Sequence, residues 1–182
     1  MSTAGPTSVT TFLSVGQIRQ TAVLLGLSLF LPFVFHLLPS YDDSAWGPRL
    51  LPLFYAPIIA ALRYKPHVSI ILAVVPLVLN HLITGRPTGP AALQLSLELL
   101  VFTGFARFFA RTQLPFWLIG PAAYVLGKPV MMLILFLITS LPGHGDPVDW
   151  ALSTFLLAIP GVFILGLIGL FAGKTPRHGT PA

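Results

Sequence analysis

Residues 46–87 read WGPRLLPLFYAPIIAALRYKPHVSIILAVVPLVLNHLITGRP, and the fold follows from how that stretch is parsed. Two apolar runs, each interrupted by proline, flank a tight basic turn that begins at Arg63 and ends at Pro66. In an aqueous helix an interior proline costs ~3 kcal/mol through its missing N–H and its ring clash. In a membrane bundle the freed carbonyls are met by neighbouring helices or by a polar cavity. The second run ends in a polar cluster, Asn80, His81, Thr84 and Arg86. The pattern predicts a helical hairpin that lines a small-molecule site in the outer half of a bilayer.

Composition supports the membrane setting. The chain has 182 residues, 55% of them hydrophobic and 8% charged, with a mean hydropathy of +0.87. A soluble domain carries about 25% charged residues. Cysteine is absent, which excludes disulfides and thiolate metal sites. The net charge of +5 is spread singly between apolar segments, so it reads as a topology signal and not as a nucleic-acid surface. Residues 1–16 are rich in Ser and Thr and read as a tail without a basic n-region or an A-x-A-like cleavage site.

Six apolar segments can be drawn, at residues 21–38, 50–64, 68–84, 90–110, 114–139 and 148–173. Spanning takes about 20 residues, so the second and third are short. The expected architecture is an all-α membrane protein, a six-transmembrane-helix bundle over residues 17–173, with a tail at 174–182. With both termini cytoplasmic, Arg19, Arg63, Lys65, Arg107, Arg111, Lys174 and Arg177 lie inside, while Arg49 and Arg86 lie outside. That bias follows the positive-inside rule. The outer loops, 39–47 and 141–149, carry Gly, Pro and Asp suited to turns or lids. No internal repeat is visible, which gives an inverted-repeat carrier little support.

Two full charges fall well inside apolar segments, Glu98 in the fourth and Lys128 in the fifth. Each costs at least about 2.5 kcal/mol at the bilayer centre and must face the bundle interior. Counted from the outer ends, Glu98 lies about eight residues down and Lys128 about eleven, depths that agree within about a turn. A direct pair is expected, serving either as a helix clamp or as part of a ligand site. Gln94 sits one turn outward of Glu98 on the same face. Asn80 shares a face with Pro76 and Thr84, Tyr55 stands between Pro52 and Pro57, and His36 and His81 fall at the same outer level.

Small residues recur at four-residue spacing: Ala22 and Gly26, Ala123 and Gly127, Gly169 and Gly173. Such pairs let helix backbones approach. Most would serve packing within the bundle; for Ala22 and Gly26 an external partner helix is the sharper option. No Walker A loop, zinc-ligand spacing or G-x-S-x-G setting occurs. Catalysis, a metal and a cofactor are not expected.

The ordered features resemble those of the substrate-binding membrane subunit, or S component, of energy-coupling factor (ECF) vitamin transporters. Members of that family show a PR-x-x-LPMH-x-P-like start to the second helix, here Pro48-Arg49 with LPLFYAP, and a P-L-L-x-x-L-L-T-G-x-P ending to the third, here VPLVLNHLITGRP. An ELxxYG-like stretch is matched by ELLVFTG from Glu98, and a Gly-Arg by Gly127-Lys128. Tyr55 stands near where the pattern has histidine, and Lys128 replaces arginine. The resemblance implies a six-helix subunit of a bacterial or archaeal cytoplasmic membrane that captures a vitamin-like solute from outside. It also implies partners: a transmembrane coupling subunit, met by Ala22-x-x-x-Gly26, and two ATPase subunits. Glu98, Lys128, Gln94, Asn80, Tyr55, His81 and Arg49 would line the solute site. The alternative from another class is a non-catalytic structural small subunit of a larger membrane assembly, with Glu98 and Lys128 as its clamp.

Overall fold

The computed structural model describes residues 15–37, 46–137 and 147–173. The tails, most of both outer loops and the His36 side chain lie outside the described residues. Among the described residues eight helices follow in order: α1 (Val15–His36), α2 (Trp46–Leu50), α3 (Tyr55–Arg63, entered through a 3-10 turn at Pro52–Phe54), α4 (Pro66–Thr84), α5 (Gly89–Phe109), α6 (Phe116–Leu137), α7 (Pro147–Leu157) and α8 (Ile159–Gly173).

Among the described residues, four helices are long and apolar enough to cross a membrane, at Gly16–Phe35, Pro66–Thr84, Gly89–Phe109 and Phe116–Leu137. α7 and α8 reach that length only together, and they are bent by 62°. Pro160 causes the bend: it has no N–H for the Leu156 carbonyl and its ring crowds the preceding turn. The expected second segment is shorter still. Its apolar part, Pro52–Arg63, covers roughly 18 Å at 1.5 Å per residue, against about 30 Å of hydrocarbon. Large apolar side chains point outward around the bundle, Phe30, Phe33, Ile83, Phe136, Phe163 and Phe171 among them. Such a continuous apolar exterior suits lipid and not water, and this is the build of a multi-pass membrane protein.

Several boundaries differ from those expected. α1 is described from Val15, so its first two residues fall in the stretch read as a tail. α4 runs unbroken through the buried Pro76, because neighbouring helices shelter the loosened turn. The real break in the hairpin lies earlier, at Leu51. That residue adopts left-handed φ 55° and ψ 41°, a conformation that costs a side-chain-bearing residue roughly 1–2 kcal/mol. It turns the chain from α2 into the 3-10 turn, and the buried Leu51 and Phe54 side chains anchor the corner in the core. α4 ends on Gly85, whose φ of 71° is easy only for glycine.

The short α3 lies at the centre, packed by α1, α4, α5 and α8. Leu24 of α1 meets Ala56, Ala60, Val68 and Leu72. On the other side Phe54, Ile58, Leu99, Phe102, Ile119, Tyr124 and Leu165 form the larger cluster. Small residues close the seams within the chain: a methyl group on Gly169 would run into the Phe116 carbonyl, and one on Gly120 would lie 2.9 Å from that of Leu165. Gly161 brings the two broken helices together. A methyl there would stand 2.7 Å from Leu51 Cγ and 2.8 Å from the Arg49 carbonyl oxygen.

Candidate functional site

The two breaks leave backbone groups that side chains must satisfy. The Leu50 carbonyl loses its helical partner because the Phe54 N–H bonds instead to Leu51 O at 3.0 Å. The Tyr55 hydroxyl donates to Leu50 O in its place. Tyr55 therefore fastens the corner between α2 and α3, and its hydroxyl is taken up there. At the other end of α3, Arg107 of α5 donates to the Tyr64 carbonyl at 2.9 Å and lies 3.3 Å from Ser69 Oγ.

Glu98 and Lys128 form the ion pair that their depths predicted, with Nζ to Oε1 at 2.5 Å. Glu98 is 7% exposed and Lys128 6%. Both lie near the midpoints of α5 and α6, about 13 Å, at 1.5 Å per residue, from the helix ends that the expected topology puts outside. Lys128 also donates to Thr154 Oγ1 at 3.2 Å, which links α7 to the pair. The Tyr124 ring centroid lies 5.0 Å from Nζ, within reach of a cation–π attraction. Tyr124 in turn stacks on Phe155 at 6.4 Å and meets the edge of Phe54 at 5.4 Å. An aromatic wall thus stands beside the pair, built from three elements that are far apart in sequence.

Gln94 completes the arrangement. It is 5% exposed and one turn outward of Glu98, and its amide is not among the sealed polar atoms that lack a partner, so the tip of the side chain keeps some access. Glu98 receives one donor, Lys128, although a carboxylate has roughly four acceptor positions. The Glu98–Gln94 edge therefore offers an anionic acceptor and an uncommitted amide to a polar guest.

Other candidates are held elsewhere. His81 Nδ1 lies 2.7 Å from the Pro87 carbonyl oxygen. Thr84 Oγ1 lies 2.7 Å from Asn80 O and accepts the Arg86 N–H at 3.1 Å. Asn80 and His81 thus brace the end of α4 and the turn beyond it, and no bond joins either to Glu98 or Lys128. Arg49 lies half-buried in α2, beside the α7–α8 bend. Ala22 and Gly26 face outward on α1, where a methyl on Gly26 would meet nothing within 4 Å. Thr154, Tyr124 and Phe155 are the members that sequence reasoning missed. Pro160-Gly161 was the one signal that α7 is set apart from α8, bringing Thr154 to Lys128.

Among the described residues no three His, Asp or Glu side chains gather as a metal site would require. No known protein family, curated protein or solved structure matches this chain.

Proposed function

We propose that the chain is a membrane-embedded binding subunit for a small, polar, vitamin-like solute, of the ECF S-component kind. In this proposal six segments cross a bacterial or archaeal cytoplasmic membrane with both termini inside, the second as a short sheltered helix and the last as a bent one. The solute is captured from outside, and a coupling subunit with two ATPases drives its uptake. The observation that carries the proposal is the unspent polarity at Gln94 and Glu98, buried beside an aromatic wall. Guest donors would meet the free carboxylate positions of Glu98, Gln94 would match one further group, and Tyr124 would face an unsaturated part of the guest. The ordered motifs around Arg49, Tyr55, Glu98 and Lys128 supply the link to that family.

Mass spectrometry of small molecules released from denatured protein tests this. Wild-type protein is expected to release one solute in near-stoichiometric amount, and Gln94→Leu to release much less. Release of nothing by wild type, or of equal amounts by both, would defeat the proposal.

A second reading, a structural subunit of a larger assembly, draws on a different observation. Lys128 ties α5, α6 and α7 through Glu98 and Thr154, which is what a clamp needs. Fixed-stoichiometry copurification with non-ATPase membrane subunits, together with an empty solute analysis, would favour it.

A further inference from the structure

At 7% and 6% exposure, Glu98 and Lys128 are covered on nearly every side. A guest larger than water reaches them only if one of their covers moves. The elements around the pair are not held alike. α5 and α6 each bury a row of side chains. α8 is locked by close backbone approaches, at Gly161 against Leu51 and at Gly166, where a methyl would lie 3.1 Å from the Trp117 carbonyl oxygen. α7 differs. Among its described side chains none is fully buried, and Leu152, Ser153 and Leu156 are exposed. Two contacts seat it on the site: Thr154 Oγ1 accepts the Lys128 bond at 3.2 Å, and the Phe155 ring stacks on Tyr124.

The joint between α7 and α8 is suited to bending. Pro160 has no N–H for the Leu156 carbonyl, and proline is a common cause of sharp kinks. One residue pair earlier, the Ala158 N–H is shared between the Thr154 and Phe155 carbonyls, at 3.1 Å each. The two helices meet there at 62°. Ala158 is fully buried and Gly161 is pinned against α2, so the joint stays in place while the segment before it is only half-buried. Segments with few buried apolar contacts open at a lower free-energy cost than the packed core.

We propose that α7 is a hinged gate over the Glu98–Lys128 pair. It pivots about Ala158–Pro160, releasing Thr154 from Lys128 and Phe155 from Tyr124, and so uncovers the pair. The purpose of the gate rests on the solute reading, whereas its motion is measured without any solute.

The chain has no cysteine, so nitroxide spin labels attach only where cysteines are introduced. Full-length protein in nanodiscs carries them at Leu152→Cys on α7 and Val78→Cys on α4, both exposed positions, and double electron–electron resonance reads the distance. The otherwise wild-type chain is expected to show one main, seated distance. Thr154→Val should raise the ratio of a displaced to the seated distance roughly fivefold, the shift that loss of one interhelical hydrogen bond gives. Phe155→Ala should enlarge the displaced population further. Labels at Phe163→Cys on α8 and Val78→Cys should keep one distance throughout, which shows that the fold is intact. An unchanged α7 distance in both variants, or equal movement of the α8 label, would overturn the gate. Release of no solute by wild type, with α7 still displaced in the variants, would defeat the solute reading alone and support the hinge.

Discussion

Replacing Glu98 by leucine while Lys128 remains should destabilise the bundle by about 3–5 kcal/mol, because a buried ammonium is left without its counter-ion. The size rests on the burial: Glu98 is 7% and Lys128 6% exposed, so water cannot take over the lost partner. Lys128→Met should cost a similar amount by stranding the carboxylate. The double variant Glu98→Leu, Lys128→Met should be near neutral or more stable by about 1–4 kcal/mol, since well-packed apolar side chains avoid the desolvation of two charges. The single costs therefore fail to add, as expected for residues in contact. Thr154→Val removes the 3.2 Å bond to Lys128 and should cost about 1 kcal/mol, in line with interhelical hydrogen bonds in bilayers. Dodecyl sulfate titration followed by helical circular dichroism measures all four. Additive single effects below about 1 kcal/mol would refute the reasoning, because they would mean that water already screens the pair.

In solute-free protein, Gln94→Leu should change stability by less than about 1 kcal/mol, since its amide is not a sealed partnerless group; a clear fall in unfolding temperature would show that Gln94 has a protein partner. Tyr55→Phe should cost about 1 kcal/mol by freeing the Leu50 carbonyl, again read by dodecyl sulfate titration; no loss would show that water satisfies that carbonyl. Gly161→Ala should destabilise by about 1–3 kcal/mol, because the new methyl must push apart the backbones at the two breaks. Gly26→Ala, on the open face of α1, should leave the isolated chain at least as stable, and in the same titration a loss matching that of Gly161→Ala would refute the distinction.

The segments that keep a long apolar period were legible from sequence: α4, α5 and α6 fall within a few residues of where they were drawn. The breaks were harder. Pro76 leaves α4 continuous because its neighbours shelter the loosened turn, whereas Leu51 bends the chain with no proline or glycine at the position itself. A left-handed leucine is stabilised by tertiary packing of Leu51 and Phe54, which no local pattern encodes. The ion pair was readable because charge in lipid must be paired and helix rise fixes depth. Thr154 was not, since it meets Lys128 only from the neighbouring α7; Tyr124 stands one turn before Lys128 on the same helix and was open to reading, but its partners Phe54 and Phe155 come from distant elements. Near the end of α4 the Asn80 carbonyl meets Thr84 and one ring nitrogen of His81 meets the Pro87 carbonyl, contacts between near neighbours that helical spacing alone does not reveal.

A high-resolution experimental structure of the purified protein, in a native-like bilayer, addresses the binding proposal most directly. The proposal requires non-protein density about 3 Å from both the Gln94 amide and the free oxygen of Glu98, a hydrogen-bonding distance. Side chains of this chain bonded to both groups, with no room for a guest between them, would contradict it.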